Sequence, residues 1–366
     1  MESIGFGGRL QIDKNWTPGE IRLLAAEPSL RILQYSELEV PGPKLLELLN
    51  EELFAIRPDI ELRIYGFHLQ AADLSVLERL PGVVKLSVDC CSRAEGLSHI
   101  GSLAKLRELT LDVFELDSFD VLGEVRSGLE RLRLGKTRSK KPDLAILNRF
   151  SELEELVLAG QRKHLGVLHE LKSLRALTLY GVPLGDLSFL GGNPQLDKLS
   201  LGFGGAEDLG GLHKLDRLEK LSLTGVRGLS RLDVLSALPR LRELKLRDQP
   251  KLATLPGFSN LPDLRSIECF GIALDNLDWA AGAEGLEEFA FLEVKTLGVE
   301  DFRKLFALLR PKRIRIVMNR TKEQEAIRQL MVQEGFAEES GGWWNGASAD
   351  AVPGSGIQQI GEENAK

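Results

Sequence analysis

The sequence predicts an α/β solenoid: one elongated body of stacked coils, each made of a strand, a turn and an irregular or helical return. Three observations carry the prediction. The stretch 174–201 opens with Leu174-x-x-Leu177-x-Leu179, runs through Val182, Leu184, Leu187 and Leu190, and begins again at Leu196-x-x-Leu199-x-Leu201. Leucines at that spacing fit neither a lone helix nor a lone strand. The first apolar residue of the motif recurs at Val83, Leu106, Leu129, Leu153, Leu174, Leu196, Leu218, Leu241, Leu264 and Leu286, with successive spacings of 23, 23, 24, 21, 22, 22, 23, 23 and 22 residues. So narrow a period marks an array of repeats, in which each unit buries its apolar side against its neighbours. Aromatic residues are 6% of the chain although 43% is hydrophobic, as expected where one leucine-sized slot is filled again and again.

Along the chain, residues 1–80 are predicted to form an N-terminal cap with atypical repeats. Arg9-Leu10-Gln11-Ile12 alternates as a short strand does. Thr17-Pro18-Gly19-Glu20 is a helix start, with Thr17 as N-cap, Pro18 in the first turn and Glu20 closing a capping box. Leu30-x-x-Leu33-x-Tyr35 carries the repeat motif, Pro41-Gly42-Pro43 breaks it, residues 44–56 form a longer helical return, and Ile60-x-Leu62-x-Ile64 is the next strand. The regular array occupies 81–298. A C-terminal cap follows over 299–340: a helix at 300–309, a strand at 313–317, and a helix at 321–334 opened by a capping box of Thr321 and Gln324. From 341 to 366 the composition turns to Gly, Ala, Ser, Pro and charge, and a disordered tail is predicted. The pair Trp343–Trp344 at its edge is expected to fold back onto the cap, a short recognition peptide being the other reading.

With its later leucines at 184, 187 and 190, the motif resembles the leucine-rich repeat family, in a class of 22–23 residues similar to internalins and to phosphatase-regulator repeats. The resemblance implies a horseshoe or arc with a parallel sheet on its concave face and both ends capped. One feature departs from the family, which usually places Asn three residues after the strand's last leucine. Here that place holds Cys91, Phe114, Thr137, Gln161, Val182, Gly204, Val226, Gln249, Ile272 and Val294. Gly160, Gly181, Gly225 and Gly271 recur one residue earlier, and glycine's access to positive φ predicts a different tight turn.

Composition narrows the function classes. A net charge of −7 speaks against a general nucleic-acid coat or an anionic-membrane binder. No basic segment leads into an apolar core at the N-terminus, and no apolar run is long enough to span a bilayer. The three cysteines, Cys90, Cys91 and Cys269, lack the spacing of a disulfide framework, which predicts a reducing compartment. The expectation is a cytoplasmic protein, bacterial from its simple single array. Enzyme signatures fail one by one. Gly135-Lys136-Thr137 lacks the earlier glycine of a phosphate-binding loop, since Glu130 stands there, and Gly202-Phe203-Gly204-Gly205 is no dinucleotide fingerprint. The histidines, His68, His99, His164, His169 and His213, lie in different coils or off the strand face, and none has helical metal-pair spacing. The vicinal cysteines should point to opposite faces. No catalytic residue, metal or cofactor is predicted.

The site follows from strand geometry. In x-L-x-L-x the leucines point inward and the x residues outward, which yields three rows of outward residues across the array. Tyr180, Arg247 and Phe270, in the third row, are residue types that anchor protein interfaces. Thr224, Lys245 and Arg133 complete the predicted protein-binding set. A leading reading follows: a scaffold or regulator that docks a protein partner on its concave face, with enzyme inhibition a natural use. An adaptor using the convex face and the Trp343–Trp344 tail is one alternative. A phosphate or nucleic-acid binder using the basic cluster from Arg131 to Lys141 is the other, although no aromatic residue interleaves that cluster.

Overall fold

Strands form where the motif sets two leucines one residue apart, because alternate side chains point to opposite faces. The computed structural model describes residues 4–66, 70–185 and 187–346. Its N-terminal strands are β1 (Arg9–Gln11), β2 (Ile32–Ser36), β3 (Glu61–Tyr65) and β4 (Ala71–Asp73). Next come β5 (Lys85–Cys91), β6 (Arg93–Glu95), β7 (Glu108–Val113), β8 (Arg131–Leu134) and β9 (Glu155–Ala159). The array continues with β10 (Ala176–Tyr180), β11 (Lys198–Gly202), β12 (Lys220–Thr224), β13 (Glu243–Arg247), β14 (Ser266–Phe270) and β15 (Glu288–Val294). At the C-terminal end lie β16 (Arg313–Met318), β17 (Phe336–Glu338) and β18 (Trp344–Gly346). Sixteen of these make one sheet, in chain order up to β16 and then β18 before β17, with β4 and β6 paired apart from it. Neighbours from β1 to β16 are parallel, and only β18 and β17 close the end antiparallel.

The returns are short 3-10 turns such as Leu165–Glu170, Ser188–Gly192 and Gly210–Lys214. Each drops one apolar residue into the core, and Leu168, Leu190 and Leu212 are fully buried. The unclosed sheet is the inner, concave wall of an open arc, and the turns lie on its outer side. Asn193 interrupts the leucine ladder at a slot filled by Leu171 and Leu215 in the flanking coils. It is buried, and its Nδ2 donates to the carbonyls of Leu168 and Leu171 at 2.7 and 2.9 Å. Toward the C-terminus the slots widen to rings. Phe258, Trp279, Phe289 and Phe291 stack with centroids 4.5–6.4 Å apart, and Phe302 of the cap meets Phe291 edge-on.

The turn that replaces the family's asparagine is built on left-handed backbone. Gly160, Gly181, Gly225 and Gly271 all have positive φ, as predicted. Cys90, Phe203, Asp248 and Glu293 hold the same conformation at the same point of their coils. Their amides extend the sheet by one rung: Gly181 donates to Gly202 O, Phe203 to Thr224 O and Gly225 to Arg247 O. Where a polar residue does stand at the asparagine position it serves the turn, as when Gln161 Nε2 donates to Gly135 O at 2.8 Å.

At the N-terminal end, the Thr17–Glu20 capping box opens the helix α1 (Pro18–Ala26). Pro43 starts α2 (Pro43–Leu49), which runs into a wider turn at Asn50–Phe54. Strands β1 to β3 continue the parallel register of the array, so the concave face begins at Arg9. At the other end α3 (Val299–Leu308), β16 and α4 (Thr321–Gln333) follow the predicted pattern.

Two expectations are corrected here. Thr321 and Gln324 form no capping box. Arg320 is the N-cap of α4 and has no side-chain cap bond, while Gln324 clasps the end of β16 through Met318 N and Ile316 O. The start of the predicted disordered tail at 341 is corrected too, whereas the pair Trp343–Trp344 folds back onto the cap as expected. Trp344 lies in β18 against Ile314 of β16, buried at 7% exposure, and the Arg313 guanidinium covers the Trp343 ring at 4.6 Å. Glycines around a three-residue strand gave that segment the composition of a tail. The rest of the predicted disordered segment, 347–366, lies outside the described residues.

Candidate protein-binding face

Each outward row runs in strict register along the sheet. In the third row Tyr180 is followed by Gly202, Thr224, Arg247 and Phe270 on successive strands. At about 4.8 Å per strand, Tyr180 and Phe270 stand about 20 Å apart. The structure therefore brings Tyr180, Thr224, Arg247 and Phe270 into one row, with Lys245 two residues back on the strand of Arg247. Arg133 is not among them, since it projects from β8, five strands before Lys245 in the middle row.

The sequence reading missed the ion pairing along the first row. Lys85 pairs with Glu108 at 3.1 Å, Glu108 with Arg131 at 2.6 Å, and Arg131 with Glu155 at 3.2 Å. Lys220 meets Glu243 in the same way, and Glu288 meets Arg313 at 2.7 Å. Opposite charges directly across strands stabilise a sheet. Near the N-terminus, Arg63 grips Asp89 through two hydrogen bonds of 2.8 and 2.6 Å, donates to Gln34 at 2.8 Å, and lies over the Tyr65 ring. Burial alone would raise the Asp89 carboxyl. The bonds and charge of Arg63, with Ser87, outweigh it and hold the group below its ordinary value. For Glu61 beside it, burial, followed by the Asp89 and Glu108 charges, outweighs a hydrogen bond from Ser87 and the charge of Arg63, and raises it. Much of the polarity of this half of the face is spent within the protein.

The basic cluster likewise fails to form one patch. Arg131 is bracketed by two glutamates. Arg126 precedes β8 and caps Ala104 O, whereas Lys136, Arg138, Lys140 and Lys141 follow the strand's far end.

The C-terminal half of the face is different. Tyr180 is 38% exposed, and its ring lies where a Cβ on Gly202 would be, 2.5 Å from the nearest ring carbon. Glycine at 202 is thus the seat of that ring. Phe203, absent from the predicted set, is 59% exposed with its centroid 6.1 Å from that of Tyr180. Its own ring stands over Gly225. A phenylalanine at φ 55° is strained by about 1–2 kcal/mol. The available signal was its alignment with Gly181 and Gly225, a glycine position occupied by a large ring. Further along, Arg247 lies 4.8 Å over the Phe270 ring and 3.4 Å from Glu268, which fixes the guanidinium in place.

Other chemistry is not gathered. Cys90 is exposed and Cys91 buried, as the strand geometry predicted. Burial, then the Asp89 and Glu37 charges, pushes the Cys91 thiol up to about 12, and burial also raises Cys90. Neither is poised as a nucleophile. His99, His164, His169 and His213 each bond within their own or an adjoining coil, and His68 lies outside the described residues. Among the described residues no group of His, Cys, Asp and Glu is arranged to hold a metal ion, and no helix is long and apolar enough to cross a membrane.

With this geometry established, solved structures supply the fold comparison. An internalin, InlF of Listeria monocytogenes, superposes with a TM-score of 0.57 at 17% identity, over 83% of this chain and 94% of its own. TLR13, solved as a complex with ssRNA13, gives 0.57 at 18% identity over 85% of this chain and 46% of its own. The Drosophila Toll–Spatzle complex gives 0.53 at 15% identity over 90% of this chain and 52% of that one. The chain therefore spans about half the length of those two matched chains. No family model and no curated protein matches the sequence. The likeness is one of fold, and in fold the chain is a leucine-rich repeat solenoid.

Proposed function

We propose that this chain is a protein-binding scaffold that docks its partner on the C-terminal half of the concave face. One observation carries the reading: the row from Tyr180 to Phe270 exposes rings and a guanidinium that neighbouring residues hold in place. A rigid sheet that displays its anchors before contact loses little conformational freedom on binding, and a few such anchors supply most of an interface's affinity. The Toll structure of similar fold is a complex with Spatzle, which fits this use of the architecture. Regulation or inhibition of an enzyme follows naturally, because a curved face can cover an active site. The free cysteines fit a cytoplasmic setting. No catalytic role is proposed. The TLR13 structure of similar fold holds an RNA, but the divided basic cluster and the net charge of −7 favour a protein here. The adaptor reading loses support with Trp344 buried in the sheet.

Affinity capture from extract tests the proposal, with wild type beside a Tyr180→Ala, Arg247→Ala, Phe270→Ala variant shown to be folded. Capture of a protein by the wild type alone is expected. Equal capture by both removes the concave row from consideration.

A further inference from the structure

Phe203 occupies a backbone site where neighbouring coils use Gly181 and Gly225, and it displays its ring to solvent rather than to the core. That ring borders an open cleft of about 400 Å³ that begins at Gly225 and lies between the turns after β12 and β13. We infer that this cleft, with Phe203 on its flank, is the principal docking point, and that it takes an acidic protein segment carrying a large apolar side chain. The inference deepens the protein-docking reading above and rests on it.

Size and lining identify the apolar part. The volume is at the low end of the roughly 300–1,000 Å³ of ligand pockets, but the cleft is open, which suits an inserted side chain better than an enclosed small molecule. Its floor is the apolar pair Val226 and Leu229, which are 2% and 1% exposed. The Phe203 ring beside it, which stands over Gly225, offers a face to the same side chain.

Charge identifies the rest. The charged lining is Arg227, Asp248 and Lys251, with Lys245 on the adjoining strand surface. Among the described residues, Arg227, Lys251 and Lys245 form no ion pair, although Lys220, Glu243, Arg247, Glu268 and Glu288 around them do. Unspent positive charge at one place on a chain of net charge −7 is complementary to carboxylates. A polynucleotide fits less well. Its backbone is charged at every nucleotide and would meet Asp248 and, further along the same edge, Glu293, both at the left-handed turn position. A protein segment can set its carboxylates against the cations and leave Asp248 to water.

The test is selection of a random-peptide display library on the immobilised full-length chain. Affinities of the enriched peptides are then measured by fluorescence anisotropy against wild type and variants. Enrichment of Asp or Glu flanking Phe, Trp or Leu is expected. Phe203→Gly, which keeps the turn because glycine adopts it freely, should weaken those peptides by about tenfold or more. Arg227→Glu with Lys251→Glu should do the same, and added salt should weaken wild-type binding. Basic peptides, or acidic ones indifferent to both variants, overturn the inference. If such peptides lose affinity only for the Tyr180, Arg247, Phe270 alanine variant, concave docking stands and this docking point falls. If they ignore that variant too, both fall. A labelled random single-stranded oligonucleotide that binds where no peptide does assigns the surface to nucleic acid, and binding of neither probe also counts against the inference.

Discussion

At the scale of single residues, the face is decided by local conflicts that the fold tolerates. Phe203 gives up about 1–2 kcal/mol to a left-handed backbone, while Phe203→Gly would enlarge the unfolded ensemble at a cost of roughly 0.5–1 kcal/mol. Denaturant unfolding of that variant should therefore show unchanged stability or a gain of up to about 1.5 kcal/mol; a clear loss would mean the ring is structural. Two carboxylates should titrate in opposite senses. Asp89, held low, stabilises the native state above its ordinary value of 3.8 and stops doing so as pH falls through its folded value. Asp89→Asn should thus cost roughly 1–3 kcal/mol at neutral pH, with the deficit vanishing in acid. Glu61, raised above 4.5, burdens the native state as pH climbs past that value. Glu61→Gln should stabilise at neutral pH and be neutral in acid. Unfolding curves for both variants across pH check the signs. The row of Tyr180, Arg247 and Phe270 was legible because a strand's alternation leaves no choice of face. Phe203 was not, since its exposure depends on a dihedral angle that the leucine pattern does not report.

At the scale of elements, the coil was readable because its leucines are repeated constraints, each with a neighbour imposing the same one. Leu201, 1% exposed in β11, has no slack around it, and Leu201→Ala should cost roughly 2–5 kcal/mol in unfolding experiments. Asn193 was hidden inside the same ladder, a polar residue in an apolar slot whose use appears only when Leu168 O and Leu171 O come within reach. Asn193→Ala should cost about 1–3 kcal/mol, although a leucine is the local rule. Element boundaries failed where single contacts decide them. Gln324 chose the end of β16 over a helix cap, and Trp344 joined the sheet because β16 offered an open edge.

At the scale of the whole molecule, the period dictates a parallel sheet without lateral closure, so function must lie along its length rather than in an enclosed chamber. The two halves of that length differ. From β3 to β9 most of the charges are spent on one another, in the pair of Arg63 with Asp89 and the chain from Lys85 to Glu155, with Arg133 outside these pairs. From β10 to β14 the surface keeps rings in fixed positions, and although Lys220 and Arg247 are paired, Lys198 and Lys245 form no ion pair among the described residues. That asymmetry is the account's central claim, because it assigns binding to one half of one face. The most direct measurement places a photo-crosslinking amino acid at Ser200, between the rows of β11, and in parallel at Glu170, exposed on a 3-10 return. Irradiation in extract should yield a discrete adduct with one protein from position 200 and none from position 170. Adducts from position 170 alone, or the same adducts from both, would contradict the claim.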